Sequence, residues 1–222
     1  QVHELAKKYD ILRCSFGAYP HDVIGGTDFG DEEPGLTVES PFDLDKEIAR
    51  WKTMPEAFIA VGEIGMDFSH GRDSEEVQRE NFRKVLAAAH ELGKPVVVHT
   101  RQAERECIEE LKNSALDNNK IVLHCFGGRK SIIKDAASAG MNFSVPAVIA
   151  RLQHFETLVS LVPMNQLLTE TDSPWLSPVK DVRNEPANVV TTIKHIARLK
   201  GFEETEVMQN IFLNYQRIFG TD

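Results

Sequence analysis

The sequence predicts an α/β fold built on parallel strands. Three observations point there: six short, near-continuous apolar runs, amphipathic stretches between them, and polar residues with metal-binding chemistry at the ends of the runs. Strands buried on both faces lack the apolar–polar alternation of a half-solvated sheet, and parallel neighbours need helical crossovers. Two architectures satisfy this pattern. One is an open doubly wound sheet. The other is a (β/α)8 barrel with six of its eight strands identifiable, which lacks the first strand, first helix and second strand.

The elements follow in order. Gln1–Tyr9 is polar and reads as the latter part of a helix. Ile11–Phe16 is the first strand-capable run. Tyr19 to Pro41 is a long connection holding Gly25, Gly26, Gly30 and Gly35, with an acidic tract from Asp28 to Glu33 that reads as a solvated loop. Ala57–Gly62 is the second run. Ser74–Leu92 then places Val77, Phe82, Val85, Leu86, Ala89 and Leu92 on one helical face. Asp73 and Glu76 have the spacing of a capping box, and Gly93 and Pro95 mark the stop. Pro95–His99 is the third run, followed by the helical stripe Ala103, Cys107, Ile108 and Leu111. Ile121–His124, Met141–Val145 and Gln166–Thr169 are the remaining runs. Between them lie helices over Gly128–Ala139 and around Leu152–Val159. Helices over Pro186–Leu199 and Glu203–Phe219 close the chain. With no internal repeat and no linker, residues 1–222 read as a single domain. On the barrel reading, a native segment ahead of Gln1 is expected to supply the two strands that are not identified.

Composition bounds the function. Lys and Arg number 25 against 34 Asp and Glu, a net charge of −9, which excludes a broad basic nucleic-acid-binding face. Nucleic acid remains compatible with the sequence if bound divalent ions supply positive charge locally. Three cysteines form no framework of pairs, which points to a reducing, cytoplasmic setting. No apolar run is long enough to span a bilayer, and no feature calls for an obligate protein partner.

The chemistry gathers at the run ends. Glu63 follows the second run, His99 ends the third, His124 ends the fourth, and Glu170-Thr171-Asp172 follows the sixth. A single such residue is more often a cap or a hydrogen-bonded structural group. Carboxylates and imidazoles at successive strand ends instead form a ligand set for Zn²⁺, Mn²⁺ or a similar ion. Cys125 reads as a small hydrophobe beside His124. Trp175 reads equally as a stacking platform or as a lid.

VGEIGMDF (Val61–Phe68), VVHTR (Val97–Arg101), LHCFGG (Leu123–Gly128), ETDSPWL (Glu170–Leu176), RNEPANV (Arg183–Val189) and GAYPHD (Gly17–Asp22) run along essentially the whole chain. These segments resemble the motifs of the TatD family, metal-dependent hydrolases of the amidohydrolase group with a TIM-barrel fold, many of them DNases. The resemblance implies a TIM (β/α)8-type barrel that hydrolyses phosphodiester bonds of DNA, at strand ends or in single strands, with a metal-activated water. It implies up to two divalent ions, Zn, Mg or Mn. Glu63 matches the metal-bridging carboxylate, and His99 and His124 match ligands of one ion. Asp172 matches the carboxylate that binds the other ion and acts as general base. His21 and Arg101 match positions that face the phosphate. Arg183, Asn184 and Glu185 match a rim signature that is partly structural. The family's opening His-x-His is absent, Tyr19 replaces a common His, and Thr100 replaces a common Cys. Two alternatives stand beside this reading: hydrolysis of a small C–N or ester substrate, and a degenerate, non-catalytic barrel serving as a binding module.

Overall fold

A computed structural model describes residues 2–24 and 43–220. The Gly25–Gly35 loop, with its acidic tract, lies outside the described residues. The chain divides into two compact units, Gln1–Leu116 and Asp117–Asp222. Among the described residues, each unit is an α/β arrangement with three parallel strands.

The first unit runs α1 (Val2–Lys8), β1 (Ser15–Phe16), α2 (Pro20–Ile24), α3 (Leu44–Thr53), β2 (Ala60–Gly65), α4 (Glu75–Glu91), β3 (Val96–His99) and α5 (Glu104–Asn113). β2 is central, parallel to β1 and β3. The first apolar run yields only a two-residue strand. Pairing begins at Ser15, opposite Ala60, and Ile11 stays 90% exposed. The second run is displaced: Pro55–Ala57 forms a 3-10 turn, which a leading proline favours, and β2 continues to Gly65. Glu63 therefore lies inside the strand, not after it.

The capping box predicted for α4 is not formed. Ser74 is the N-cap, and its Oγ accepts from Gln78 Nε2 at 2.9 Å. Gln78 takes an inward place, while Val77 is turned to solvent. Trp51, Phe58, Ile64, Phe82 and Leu111 are at most 2% exposed. Burial of each such side chain contributes about 1.5–3 kcal/mol. Across α4 and α5, the Glu110 carboxylate accepts from Arg83 Nε at 2.6 Å and from Arg79 Nη1 at 2.6 Å. Arg83 leads in holding that carboxyl below the usual glutamate range.

The second unit runs β4 (Ile121–Leu123), α6 (Lys130–Ser138), β5 (Asn142–Val145), α7 (Gln153–Leu161), β6 (Leu167–Thr169), α8 (Val189–Lys200) and α9 (Glu204–Phe219). β5 pairs with β4 through Leu123↔Phe143 and with β6 through Val145↔Thr169. All of β4 and β5 is buried, as expected of strands covered on both faces. Phe126 meets Phe143 edge to face at 5.6 Å. The capping box of α9 is formed by Glu203 and Glu206. In both units the residues of interest lie in the C-terminal halves of strands or in the segments that follow them.

Candidate active site

In the first unit the backbone itself aims Glu63. The register of β2 against β3 shifts between Val61 and Ile64, a bulge that turns the side chain between them. Gly17, just beyond β1, makes this close approach feasible: a Cβ there would stand 2.4 Å from the carbonyl oxygen of Glu63. Gly65 adopts φ +142°, and a Cβ on it would meet the His99 carbonyl oxygen at 2.0 Å. Glu63 Oε2 stands 3.8 Å from His99 Nδ1.

The other nitrogen of His99, Nε2, lies 2.8 Å from Asp67 Oδ2. Asp67 is 1% exposed. Its Oδ1 accepts from Ser69 N at 2.8 Å and Ser69 Oγ at 2.5 Å, and its Oδ2 accepts from Tyr19 OH at 3.3 Å. His21 on α2 is likewise buried, with Nε2 3.4 Å from Asp67 Oδ1. Gln78 clamps the Asp67 backbone by accepting from its N at 2.7 Å and donating to its O at 2.8 Å. Burial alone would raise the Asp67 carboxyl pKa, but hydrogen bonds from His21, His99 and Ser69 prevail and hold it well below the ordinary aspartate range. A carboxylate so fixed can only accept, so Nε2 of His99 donates to it and Nδ1 is left facing Glu63. Arg101 lies in the turn after β3 with an exposed side chain, and its carbonyl accepts from Phe68 N at 2.9 Å.

The second unit repeats this logic with the ring reversed. His124 directly follows β4, and its Nδ1 is hydrogen-bonded to Glu170 Oε2. Glu170, directly after β6, also accepts from Ser144 Oγ at 2.7 Å and from Cys125 N at 2.9 Å. His124 Nε2 faces Asp172 Oδ1 at 3.6 Å. Cys125 sits at φ 42° in a turn and Asp172 at φ 59°, both left-handed. Cys125 is therefore half-buried in a turn, not a strand residue packed in the core. Asn184 is 1% exposed: its Nδ2 donates to the carbonyls of Thr171 and Trp175, each at 2.6 Å, and its Oδ1 accepts from Glu185 N at 2.9 Å. Arg183 and Glu185 flank it with exposed side chains.

Within the first unit, then, Glu63, His99 and His21 converge on Asp67 or on one another, and Arg101 stands apart in its turn. Within the second, His124 and Asp172 converge, and Asn184 ties the loop that carries Asp172. Asp67 is not among the sequence-derived site residues, and Glu170 is noted at its run end without a role of its own. Each lies inside a quoted motif, four residues after Glu63 and two before Asp172. Those second carboxylates were the signal available. In each unit a ring nitrogen and a carboxylate oxygen lie 3.8 or 3.6 Å apart, a separation that two ligands of one ion can span at about 2.0–2.2 Å each.

Comparison with known proteins extends these observations. The model for TatD related DNase matches residues 1–220. Deoxyribonuclease TATDN3 of Homo sapiens is 36% identical over 225 residues, covering 99% of this chain and 78% of that protein. A metal-dependent hydrolase of Methanocaldococcus jannaschii is 33% identical over 216 residues, covering 97% of this chain and 78% of that protein. The crystal structure of the TatD homologue YJJV from Escherichia coli shares the fold with a TM-score of 0.84 at 22% identity, covering 100% of this chain and 82% of that one. A family match along nearly the full length agrees with the strand-end carboxylates and imidazoles, and the chain belongs to the TatD related DNase family.

Proposed function

We propose that the protein hydrolyses phosphodiester bonds of DNA, using divalent ions held by Glu63, His99, His124 and Asp172, with the two units acting as one hydrolase domain. The observation that carries the reading is the repeated arrangement of each histidine. One ring nitrogen is held by a buried or half-buried carboxylate, and the other faces a second carboxylate, Glu63 at 3.8 Å or Asp172 at 3.6 Å. Imidazoles held this way are oriented ligands of fixed tautomer. A mixed nitrogen and carboxylate set suits Zn²⁺ or Mn²⁺, and Mg²⁺ is served by the carboxylates.

Such ions, when bound, lower the pKa of water and polarise phosphate oxygens. The chain's own groups do the rest. Asp172 accepts the proton of the attacking water as general base, from a left-handed backbone position set by the loop behind it. Arg101, exposed beside β3, orients a phosphate oxygen with its guanidinium. His21, buried against Asp67, serves that carboxylate and through it His99. Arg183 and Glu185 belong to the rim, and Asn184 shapes it. Among the described residues no helix is long and apolar enough to cross a membrane. Cys14, Cys107 and Cys125 form no disulfide, which supports a cytoplasmic setting.

The test is cleavage of single-stranded and duplex DNA by the purified protein, stripped of metal and reloaded with Zn²⁺, Mn²⁺ or Mg²⁺. The expected result is metal-restored phosphodiester cleavage that Glu63→Gln and His124→Ala abolish together with metal content. Metal-restored hydrolysis of a small amide, with DNA left intact, would favour the C–N hydrolase instead.

A further inference from the structure

Beside Asp172 the second unit carries an open groove of about 440 Å³, lined among others by Trp175, Arg151, Arg183, Val179, Val182 and Asp181. We propose that this groove is a subsite for one nucleotide of the DNA strand, its base stacked on Trp175 and its phosphate held by Arg151 and Arg183. The proposal rests on the phosphodiesterase reading above and names the part of the substrate that the active-site rim receives.

Four observations carry it. First, Trp175 is 53% exposed in a loop that is not loose: Asn184 Nδ2 holds its carbonyl at 2.6 Å, and its own N donates to Asp172 O at 2.8 Å. These bonds fix the backbone that presents the indole, so the loop is preorganised, which reduces the ordering that binding requires. Second, Leu176 at φ 51° and Asp181 at φ 59° hold the same loop in left-handed conformations, the kind of strain that collects at ligand sites. Third, Arg151 is anchored by Nε, which donates to Ser177 O at 3.1 Å. The bond fixes one edge of the guanidinium at the groove wall and does not use its two terminal nitrogens. Fourth, the lining is amphipathic in the manner of a nucleotide. The exposed Val179 and Val182 suit base and sugar, and two guanidiniums against the single carboxylate of Asp181 suit one phosphate.

Charge argues for one nucleotide of a flexible strand. With a net charge of −9, the chain as a whole has no net attraction for a duplex backbone. An exposed indole stacks on bases that are already unstacked from their neighbours, as in single strands and frayed ends.

The two tryptophans make the test direct. Trp51 is 1% exposed and Trp175 is 53% exposed, so quenching by a ligand in solution reports Trp175. The probe is a ten-residue phosphorothioate oligothymidylate, which resists hydrolysis, titrated into the protein as purified. Saturable quenching is expected of the wild-type protein; with binding read by anisotropy of the fluorescein-labelled oligonucleotide, Trp175→Phe should retain the affinity and Trp175→Ala weaken it about 5- to 100-fold. Arg151→Ala with Arg183→Ala should weaken binding and flatten its dependence on salt, by about 0.7 in logarithmic slope for each phosphate no longer neutralised. A blunt duplex of the same length should quench far less. If the oligonucleotide binds and ordinary DNA is cleaved while Trp175 emission stays unchanged and Trp175→Ala binds normally, the groove assignment is overturned and the nuclease reading survives. If the folded wild-type protein neither binds nor cleaves any DNA, both fall together. Equal quenching by the duplex would overturn the single-strand preference.

Discussion

The Asp67 carboxylate lies 2.8 Å from Nε2 of His99, so the ring turns Nδ1 toward Glu63. In the other unit Glu170 takes Nδ1 of His124, and Nε2 faces Asp172. Nitrogen-15 NMR of the metal-free protein should therefore find His99 protonated on Nε2 and His124 protonated on Nδ1. The reverse assignment at either ring would refute the orienting role of its carboxylate.

Asp67→Asn keeps the shape but replaces an acceptor with an amide that can also donate. Ser69 engages Oδ1 through two donors, so the amide nitrogen would face His99 and drive the proton to Nδ1. Metal affinity should drop about 10- to 100-fold, with the far-UV circular dichroism unchanged. Titration calorimetry on the stripped protein reads it.

Asp172→Asn should lower DNA cleavage about 10²- to 10⁴-fold, as removal of a general base does. Glu170→Gln acts differently. Glu170 accepts from His124, Ser144 Oγ at 2.7 Å and Cys125 N at 2.9 Å, so an amide there loses metal before it loses proton transfer. Metal content measured beside rate separates the two. A Glu170→Gln protein with full metal occupancy would contradict the assigned geometry.

Gly17→Ala should destabilise the fold by about 2–3 kcal/mol, because its Cβ would stand 2.4 Å from the backbone of Glu63. Urea unfolding checks this, and the same variant should weaken metal binding by displacing β2.

Glu110 gives a pH-dependent contribution remote from the site. Its folded pKa is depressed by Arg83 and Arg79, so its stabilisation is present above the ordinary glutamate value of about 4.5 and is lost as pH falls through and below it. Glu110→Gln should flatten the acid side of the stability–pH curve and cost about 1–2 kcal/mol at neutral pH. An unaltered acid limb would show that the pair contributes nothing net.

Much of this was legible in the sequence because strand ends and ligand chemistry share a local signature. His99 and His124 fall at run ends, where period and residue type can be read from a few neighbours. Glu63 was misplaced by one structural level, following the strand instead of lying within it, because the bulge depends on how β2 aligns with β3. Asp67, and the hold of Glu170 on His124, are not legible because the partners lie 32 and 46 residues apart in sequence, across distances that no local pattern encodes. The capping box at Asp73 failed because the Ser74–Gln78 hydrogen bond starts α4 one residue later, and Gln78 is also drawn inward by the Asp67 backbone.

Asn184 separates the residues that shape the rim from the residues that would meet a ligand. Its bonds go to backbone atoms of Thr171, Trp175 and Glu185 and to the side chain of Asn188, so none of them engages the side chains at 175, 179, 182 or 183. Substitution at 175, 179 or 182 would therefore change what the groove offers a ligand while leaving these bonds in place. Substitution of Asn184 would remove all of these bonds at once and with them the contour on which the groove depends.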